Sequence, residues 1–202
     1  MKSTILAPVL ATLRTSAMTA ALTTLASGAF AEPVKYVLDP SHSQVVFNYN
    51  HLGFSNTVGM FSGFEGEIQF DQQDPAKSSV SVSFPVRSML TGWEARFQHF
   101  MSDDFFGADD TEVVTFTSTS IELTGDKTAN ITGDLTLNGV TKSVVLDAVL
   151  NQVGMHPVQN QPWAGFSATT MLVRSDYGLG AFAPYVGDEV TLNISIEAMK
   201  AE

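Results

Sequence analysis

Two stretches of this chain, residues 80–86 and 190–198, alternate apolar and polar residues one by one. This period-two pattern constrains the fold more than any other feature. Because successive side chains on a β-strand point to opposite faces, each stretch predicts a strand with one apolar and one polar face. Weaker alternation over residues 45–49, 64–70 and 114–123 extends the prediction to most of the chain. The sequence therefore indicates an all-β protein.

Turn signals separate these runs at short intervals. Asn138-Gly139 joins two of them, and a two-residue Asn-Gly link favours the type I′ turn of a β-hairpin. Residues 125–127 and 73–75 read as further reversals. We count about eight strands without a βαβ rhythm, which predicts an antiparallel sheet, closed as a barrel or stacked as a sandwich.

The alternation alone leaves open on which side of a barrel the apolar face lies. Outer-membrane barrels carry it outside, on strands of about ten residues. Several strands predicted here are shorter, which favours the apolar face inside. Eight strands then enclose room for side chains or for one small ligand.

One segment departs from the strand pattern. Residues 92–101 place aromatic and other apolar side chains at helical spacing, and residues 102–107 read as a helix end or a second short turn. We expect one or two short helices near one mouth of the barrel, where they could plug or line it. Residues 155–162, rich in proline and amides, predict an exposed loop.

The N-terminus has the order of a secretory signal. Residues 1–31 contain Lys2 and Arg14 but no acid, followed by an uncharged run and then Ala29-Phe30-Ala31, a small-x-small cleavage site. We expect cleavage after Ala31, which leaves residues 32–202 as one domain of 171 residues. Export to the periplasm is therefore predicted.

Charge and cysteine content exclude several classes of function. Removal of the predicted signal takes the formal charge from −11 to −13, which disfavours nucleic acid and anionic membranes as partners. The chain has no cysteine, so disulfides, thiolate metal sites and a cysteine nucleophile are excluded. We predict no stable membrane insertion.

The residues that could perform chemistry are few. The four histidines form no His-x-His, His-x-x-x-His or Glu-x-x-His pattern, and neither a Gly-x-Ser-x-Gly elbow nor a glycine-rich phosphate loop occurs. Asp39 precedes His42 by three residues, which on a strand would place the two side chains on opposite faces. We therefore predict neither a catalytic nor a metal site. Two alternatives remain: a lipid-directed hydrolase or isomerase using His42 or His99, and a stress-response interaction module with an incidental pocket.

An ordered set of short motifs runs through residues 36–190. They are YVLDPSHS at 36–43, HLGFS at 51–55, SDDFF at 102–106, GDLTLNGVTK at 133–142, RSDYG at 174–178 and VGDEV at 186–190. In this order they resemble the YceI-like family of polyisoprenoid-binding periplasmic proteins. Phe97 replaces the family's frequent aspartate, which could alter the polarity near the mouth and the chemistry of the head group bound there. Asn138 replaces a frequent histidine, which should be neutral.

The resemblance implies an eight-stranded antiparallel barrel of lipocalin type whose tunnel holds a long isoprenoid, quinone or fatty amphiphile. It implies no other cofactor. The partner would be this small-molecule lipid, and a homodimer is possible, although the sequence does not decide it.

The predicted ligand-binding residues form two sets. The first set contains aromatic side chains expected to line the tunnel, any of which could instead be plain core: Phe47, Phe54, Phe61, Phe84, Trp93, Phe97, Phe100, Phe116 and Phe166. The second set contains cationic or polar side chains near the mouth: Arg87, Arg96, His99 and Arg174. Arginine could hold a phosphate or carbonyl head group, or it could pair with one of the many acids.

Overall fold

Ten strands and one α-helix make up the part of the chain that the structure, a computed structural model, describes: Met1 and residues 32–202. The predicted signal peptide and its cleavage site lie outside the described residues. The strands are β1 (Val34–Leu38), β2 (Gln44–His51), β3 (Ser55–Phe61), β4 (Glu65–Phe70), β5 (Ser79–Pro85), β6 (Val113–Leu123), β7 (Thr128–Leu137), β8 (Val140–Met155), β9 (Pro162–Val173) and β10 (Val186–Lys200). The helix α1 (Glu94–Phe100) lies between β5 and β6.

All pairings between these strands are antiparallel, and they close into a barrel. Strand β1 pairs with β4 on one side and with β10 on the other, so that β1 and β4 to β10 form a ring of eight. Strand β2 pairs with residues Val186–Ser195 of β10, and β1 pairs with the end of the same strand. β1 and β2 therefore occupy one position in the barrel wall, with a break between them at residues 39–43. The predicted eight-stranded lipocalin-like barrel is confirmed.

The apolar and polar residues that alternate in the sequence face the inside and the outside of the barrel, respectively. On β10, Val190, Leu192 and Ile194 line the interior, whereas the residues between them are exposed. The hairpin between β7 and β8 turns at Asn138 and Gly139, whose φ angles of 50° and 71° are those of the predicted type I′ turn.

The turns divide between two ends of the barrel. The helix end carries the turns at 52–54 and 138–139 and two long segments, residues 86–112 with α1 and residues 174–185. The far end carries the turns at 71–78, 124–127 and 156–161. The helix α1 lies near one mouth, as predicted, and residues 102–107 form turns rather than a second α-helix. Short 3-10 helices occupy Pro75–Lys77, Val86–Ser88 and Arg174–Tyr177.

Each end has its own group of buried apolar residues. The helix-end group includes Phe47, Val86 and Tyr177, and the far-end group includes Tyr36 and Ala198. Within the described residues, no helix is long and apolar enough to span a bilayer.

Candidate ligand-binding cavity

The barrel encloses a cavity of about 1120 Å³. At the helix end its wall includes Leu52, Trp93 and Phe182, and at the far end it includes Ser79 and Lys127. Because residues of both ends contribute to one wall, the cavity extends along the barrel rather than lying under one mouth.

Aromatic rings in contact with one another form a continuous part of this wall. Ring centroids are 4.5 Å apart for Phe64 and Phe84, 5.1 Å for Phe84 and Phe61, and 5.4 Å for Phe61 and Phe47. The series continues to Phe100 of α1, whose ring meets Phe47 edge-on at 6.3 Å. Such tilted and edge-on pairs add to the stability of a packed wall. They also connect the helix to the strands.

Aliphatic side chains of β7 to β10 supply most of the remaining wall. They are Ala129, Ile131, Leu135, Leu137, Val144, Leu146, Ala148, Leu150, Ala168, Leu172, Val190, Leu192, Ile194 and Ile196. Each lies on the inward face of its strand because the side-chain period is two. A ligand in the middle of the barrel therefore meets apolar groups.

Polar side chains enter the cavity at the helix end. Tyr49, Thr57, Arg96 and His99 all line it there. The Arg96 guanidinium donates a hydrogen bond to the Thr91 carbonyl oxygen at 3.0 Å. Within residues 32–202, no carboxylate lies within ion-pair distance of Arg96, so its charge remains available to a ligand.

The phenol of Tyr49 stays protonated among these groups. Burial raises its pKa and outweighs the opposing effects of Arg96, the Thr57 hydroxyl and Arg174. A neutral phenol can donate as well as accept a hydrogen bond. Tyr49 and Arg96 together therefore offer donors for an oxygen-rich head group.

Arg174 lines the cavity but uses its donors on the protein itself. Its Nε donates to Gly187 O, and its Nη atoms donate to the carbonyl oxygens of Leu179, Ala181 and Val186. Burial lowers its pKa, although a guanidinium remains protonated at any ordinary pH. The side chain holds residues 179–187 against the end of β9.

The far end of the cavity has a different polar lining. Ser78, Ser79, Asp126, Lys127 and Thr128 contribute to it. Ser78, Asp126 and Lys127 belong to the turns that precede β5 and β7, and Ser79 and Thr128 are the first residues of those strands. Charged groups of both signs therefore lie at this end, next to the apolar side chains of Ile121 and Leu123.

A polar cluster lies where β1 breaks from β2. The His42 ring donates from Nδ1 to Asp39 Oδ2 at 2.6 Å, and the Ser41 hydroxyl donates to Asp39 Oδ1 at 2.7 Å. The prediction that Asp39 and His42 face opposite sides is wrong, because residues 39–43 form a turn and not a strand. The hydrogen bond to Asp39 raises the pKa of His42. Burial raises the pKa of Asp39, but the hydrogen bonds from His42 and Ser41 outweigh it and lower the pKa overall.

Asp39, His42 and Glu197 offer three ligand atoms within 4.8 Å of one another, a geometry that could hold a metal ion. Each of the three already has a hydrogen-bond partner: Asp39 and His42 bond to each other, and Glu197 Oε2 accepts from Trp163 Nε1 at 3.0 Å. Glu197 follows the cavity-lining Ile196 and so points outward. The cluster ties the break in the first strand to the outer face of β10.

Comparison with known proteins assigns the chain to a family. The YceI-like domain matches residues 36–198. A UPF0312 protein of Ectopseudomonas mendocina is 38% identical over 179 residues, covering 86% of this chain and 91% of its own. This chain belongs to the YceI-like family.

Solved structures share the same fold. The crystal structure of Burkholderia cenocepacia BcnA matches this YceI-like chain with a TM-score of 0.71 at 24% identity, over 79% of this chain and 98% of its own. A polyisoprenoid-binding domain from Saccharophagus degradans, implicated in plant cell wall breakdown, matches with a TM-score of 0.66 at 14% identity, over 83% of this chain and 99% of its own. At these identities the likeness concerns the fold alone.

The YceI-like barrel brings most of the predicted ligand-binding residues to one cavity wall. Those that line it are Phe47, Phe61, Phe84, Trp93, Arg96, His99, Phe100, Phe116, Phe166 and Arg174. Their position in the wall is a structural result, and their contact with a ligand stays a prediction.

Three predicted residues do not line the cavity. Phe54 projects into solvent from the turn after β2. The Arg87 guanidinium donates to Ala108 O at 3.2 Å, pairs with Asp110 at 2.9 Å and lies over the Phe97 ring, 5.5 Å from its centre. Phe97 thus packs beneath Arg87, so the departure from the family's frequent aspartate leaves the polarity of the cavity unchanged.

Several residues in the wall were not predicted. Tyr49 shares the inward face of β2 with Val45 and Phe47, so the alternation could have found it. Phe182 and Tyr185 lie in an irregular segment, where no periodicity reports which way a side chain points.

Proposed function

We propose that this protein is a periplasmic carrier that holds a long isoprenoid-like lipid, of the quinone or polyprenyl type, inside its barrel. The observation that carries the proposal is the cavity of about 1120 Å³ with aromatic and aliphatic walls. Pockets for drug-sized ligands measure about 300 to 1,000 Å³. The barrel has room for a larger and mainly apolar molecule.

Burial of a hydrocarbon chain supplies the affinity. Each methylene removed from water contributes about 0.8 kcal/mol, so a long chain binds tightly without directional contacts. Selectivity then depends on the length of the cavity and on the polar groups at its ends. Arg96 and Tyr49 are suited to a phosphate or carbonyl oxygen, because charge-assisted hydrogen bonds are the stronger ones.

Two further observations support the proposal. The Saccharophagus degradans domain, which has the same fold, is a polyisoprenoid-binding domain, and this supports an isoprenoid-type lipid as the ligand here. The order of residues 1–31 is that of a secretory signal, which supports export.

A charge placed in the wall tests the site directly. Phe100→Asp buries a carboxylate where the lipid chain would lie, and we expect the affinity for a quinone or a polyprenyl phosphate to fall about tenfold or more. The matched control is Gln98→Asp, which adds the same charge to the exposed face of α1. Circular dichroism and urea unfolding verify that both variants fold. Unchanged affinity in Phe100→Asp would place the ligand outside this cavity.

A further inference from the structure

The exposed aromatic side chains of the described residues all lie at the helix end. They are Phe54, Trp93, Phe182 and Tyr185, with exposed fractions of 90%, 64%, 54% and 78%. Leu52, exposed by 47%, lies beside them. We call these five residues the mouth rim. The far end exposes aliphatic side chains, such as Met155 and Val158, but no aromatic ring in the described part of the chain.

The mouth rim continues the lining of the cavity to the outside. Leu52, Trp93, Phe182 and Tyr185 are exposed and yet belong to the cavity wall. They come from three segments far apart in sequence, and Leu52 N donates to Tyr185 O at 3.2 Å where two of them meet. An apolar path therefore leads from the inner wall to the surface at this end.

The backbone holds two rim residues in an uncommon conformation. Leu52 and Phe182 have φ angles of 56° and 63°, in the left-handed region that side chains other than glycine, asparagine and aspartate rarely adopt. Such conformations persist where surrounding structure imposes them and are concentrated at functional sites. The fold keeps these apolar side chains outward although neither burial nor backbone preference favours it.

We propose that the mouth rim docks the barrel onto the surface of an electrically neutral lipid bilayer. The inference rests on the proposed function, because the occupant of the cavity would then pass between bilayer and barrel without crossing water. Tryptophan and tyrosine favour the membrane interface, where one part of the ring is apolar and the other wet. The formal charge of −11, or −13 without the predicted signal, disfavours an anionic bilayer. The contact is peripheral, which agrees with the prediction of no stable membrane insertion.

The two tryptophans provide a matched pair of reporters. Trp93 lies in the mouth rim, and Trp163 lies near the far end, where its Nε1 donates to Glu197. In Trp163→Phe the emission comes from Trp93, and in Trp93→Phe it comes from Trp163. With vesicles of brominated phosphatidylcholine, we expect quenching and a blue shift of Trp93 and no change of Trp163. Unbrominated vesicles should produce the shift without the quenching.

Substitutions at each end separate docking from ligand binding. Phe54→Asp changes a rim residue outside the cavity wall, and vesicle affinity should fall about tenfold or more while lipid affinity stays unchanged. Val158→Asp, at an 82% exposed position of the far-end turn, is the control and should leave both affinities unchanged.

Three results would overturn the docking proposal. Two of them are no quenching of Trp93 and equal quenching of both tryptophans. The third is a shift of Trp93 emission that depends on protein concentration without vesicles, which would assign the rim to a second copy of the chain. Loss of docking with intact lipid binding would leave the carrier function standing. Docking by a barrel that takes up no lipid would instead remove the carrier function.

Discussion

The two ends of the barrel are built differently. At the far end β1 pairs continuously between β4 and β10, and Tyr36, Phe64 and Ala198 are buried almost completely. At the helix end two long irregular segments replace short turns, and aromatic rings are exposed. This difference shows that one barrel can have regular strand pairing at one end and its opening at the other.

The irregular end needs a substitute for strand pairing, and Arg174 supplies it. Four backbone carbonyl groups of residues 179–187 accept hydrogen bonds from this one side chain. The backbone N–H and the hydroxyl of Ser175 add bonds to the Asp188 carboxylate at 2.9 and 2.6 Å. The stability of the helix end thus depends on a few side chains, whereas that of the far end is spread over the sheet.

The largest expected effect follows from removing that side chain. Arg174→Leu should lower the free energy of unfolding by about 3 to 5 kcal/mol, since each unsatisfied buried acceptor costs about 1 to 3 kcal/mol and water recovers part of the loss. Urea unfolding measures the change. Arg87→Leu is the control and should cost less, about 1 to 2 kcal/mol, because this side chain donates to one backbone carbonyl oxygen, that of Ala108, and its other partner Asp110 is exposed. Equal losses would contradict the special role of Arg174.

We expect the next largest effect from a bulky side chain that obstructs the middle of the cavity. Ala168 lines the cavity between the two ends, and Ala168→Phe should weaken the binding of a long polyprenyl chain about tenfold or more by occupying its path. Val145→Phe adds a ring to the exposed outer wall and should not change the affinity. Isothermal titration with a polyprenyl phosphate compares the two. If Ala168→Phe binds normally, the two ends do not share one cavity.

The end that holds the head group can be identified by charge removal. Arg96→Leu should weaken binding of a polyprenyl phosphate about tenfold, because hydrogen bonds to charged groups contribute about 1.5 to 3 kcal/mol. Binding of a hydrocarbon of equal length, without a head group, should be unaffected. Lys127→Leu makes the same change at the far end. A larger loss in Lys127→Leu would reverse the assigned orientation of the ligand.

We expect the smallest effect on stability from the polar cluster at the break between β1 and β2. The pKa of His42 is raised by Asp39, so the ion pair stabilises the fold fully below the ordinary value of 6.5 and is lost as pH rises through the raised value. The pKa of Asp39 is lowered overall, so its contribution is present above its ordinary value of 3.8 and is lost only in more acidic solution.

Urea midpoints at pH 6 and pH 9 measure this difference. The midpoint should be slightly higher at pH 6 in the unchanged protein, and His42→Ala should reduce that pH difference. Asp39→Asn, which removes the charge of the partner, should reduce the pH difference in the same way. A pH difference unaltered by His42→Ala would show that the pair contributes nothing measurable.

The sequence predicted the regular parts of the barrel well, for a physical reason. Alternation reports which face a strand residue occupies, and the Asn138-Gly139 pair specifies its turn through local backbone preference. Alternation does not extend to Arg87, because β5 ends at Pro85 and Arg87 lies in a short 3-10 helix, Val86–Ser88. Its assignment to the mouth rested on the scarcity of arginine and not on a strand position.

The mouth rim could not be predicted from sequence. Phe54 follows the end of β2, where alternation no longer applies, and it was assigned to the tunnel on its apolar character alone. Tyr185 meets Leu52, and the Phe182 ring meets those of His99 and Phe105, only because the barrel brings segments far apart in sequence together. Their position depends on tertiary structure, which no local pattern encodes.

Native mass spectrometry of the exported protein, purified from a periplasmic extract without added lipid, tests the central claim most directly. The carrier function predicts a mass increment of one amphiphile per chain, which organic extraction releases and identifies as an isoprenoid-type lipid. A chain of unadorned mass that also fails to take up a quinone or a polyprenyl phosphate would contradict it.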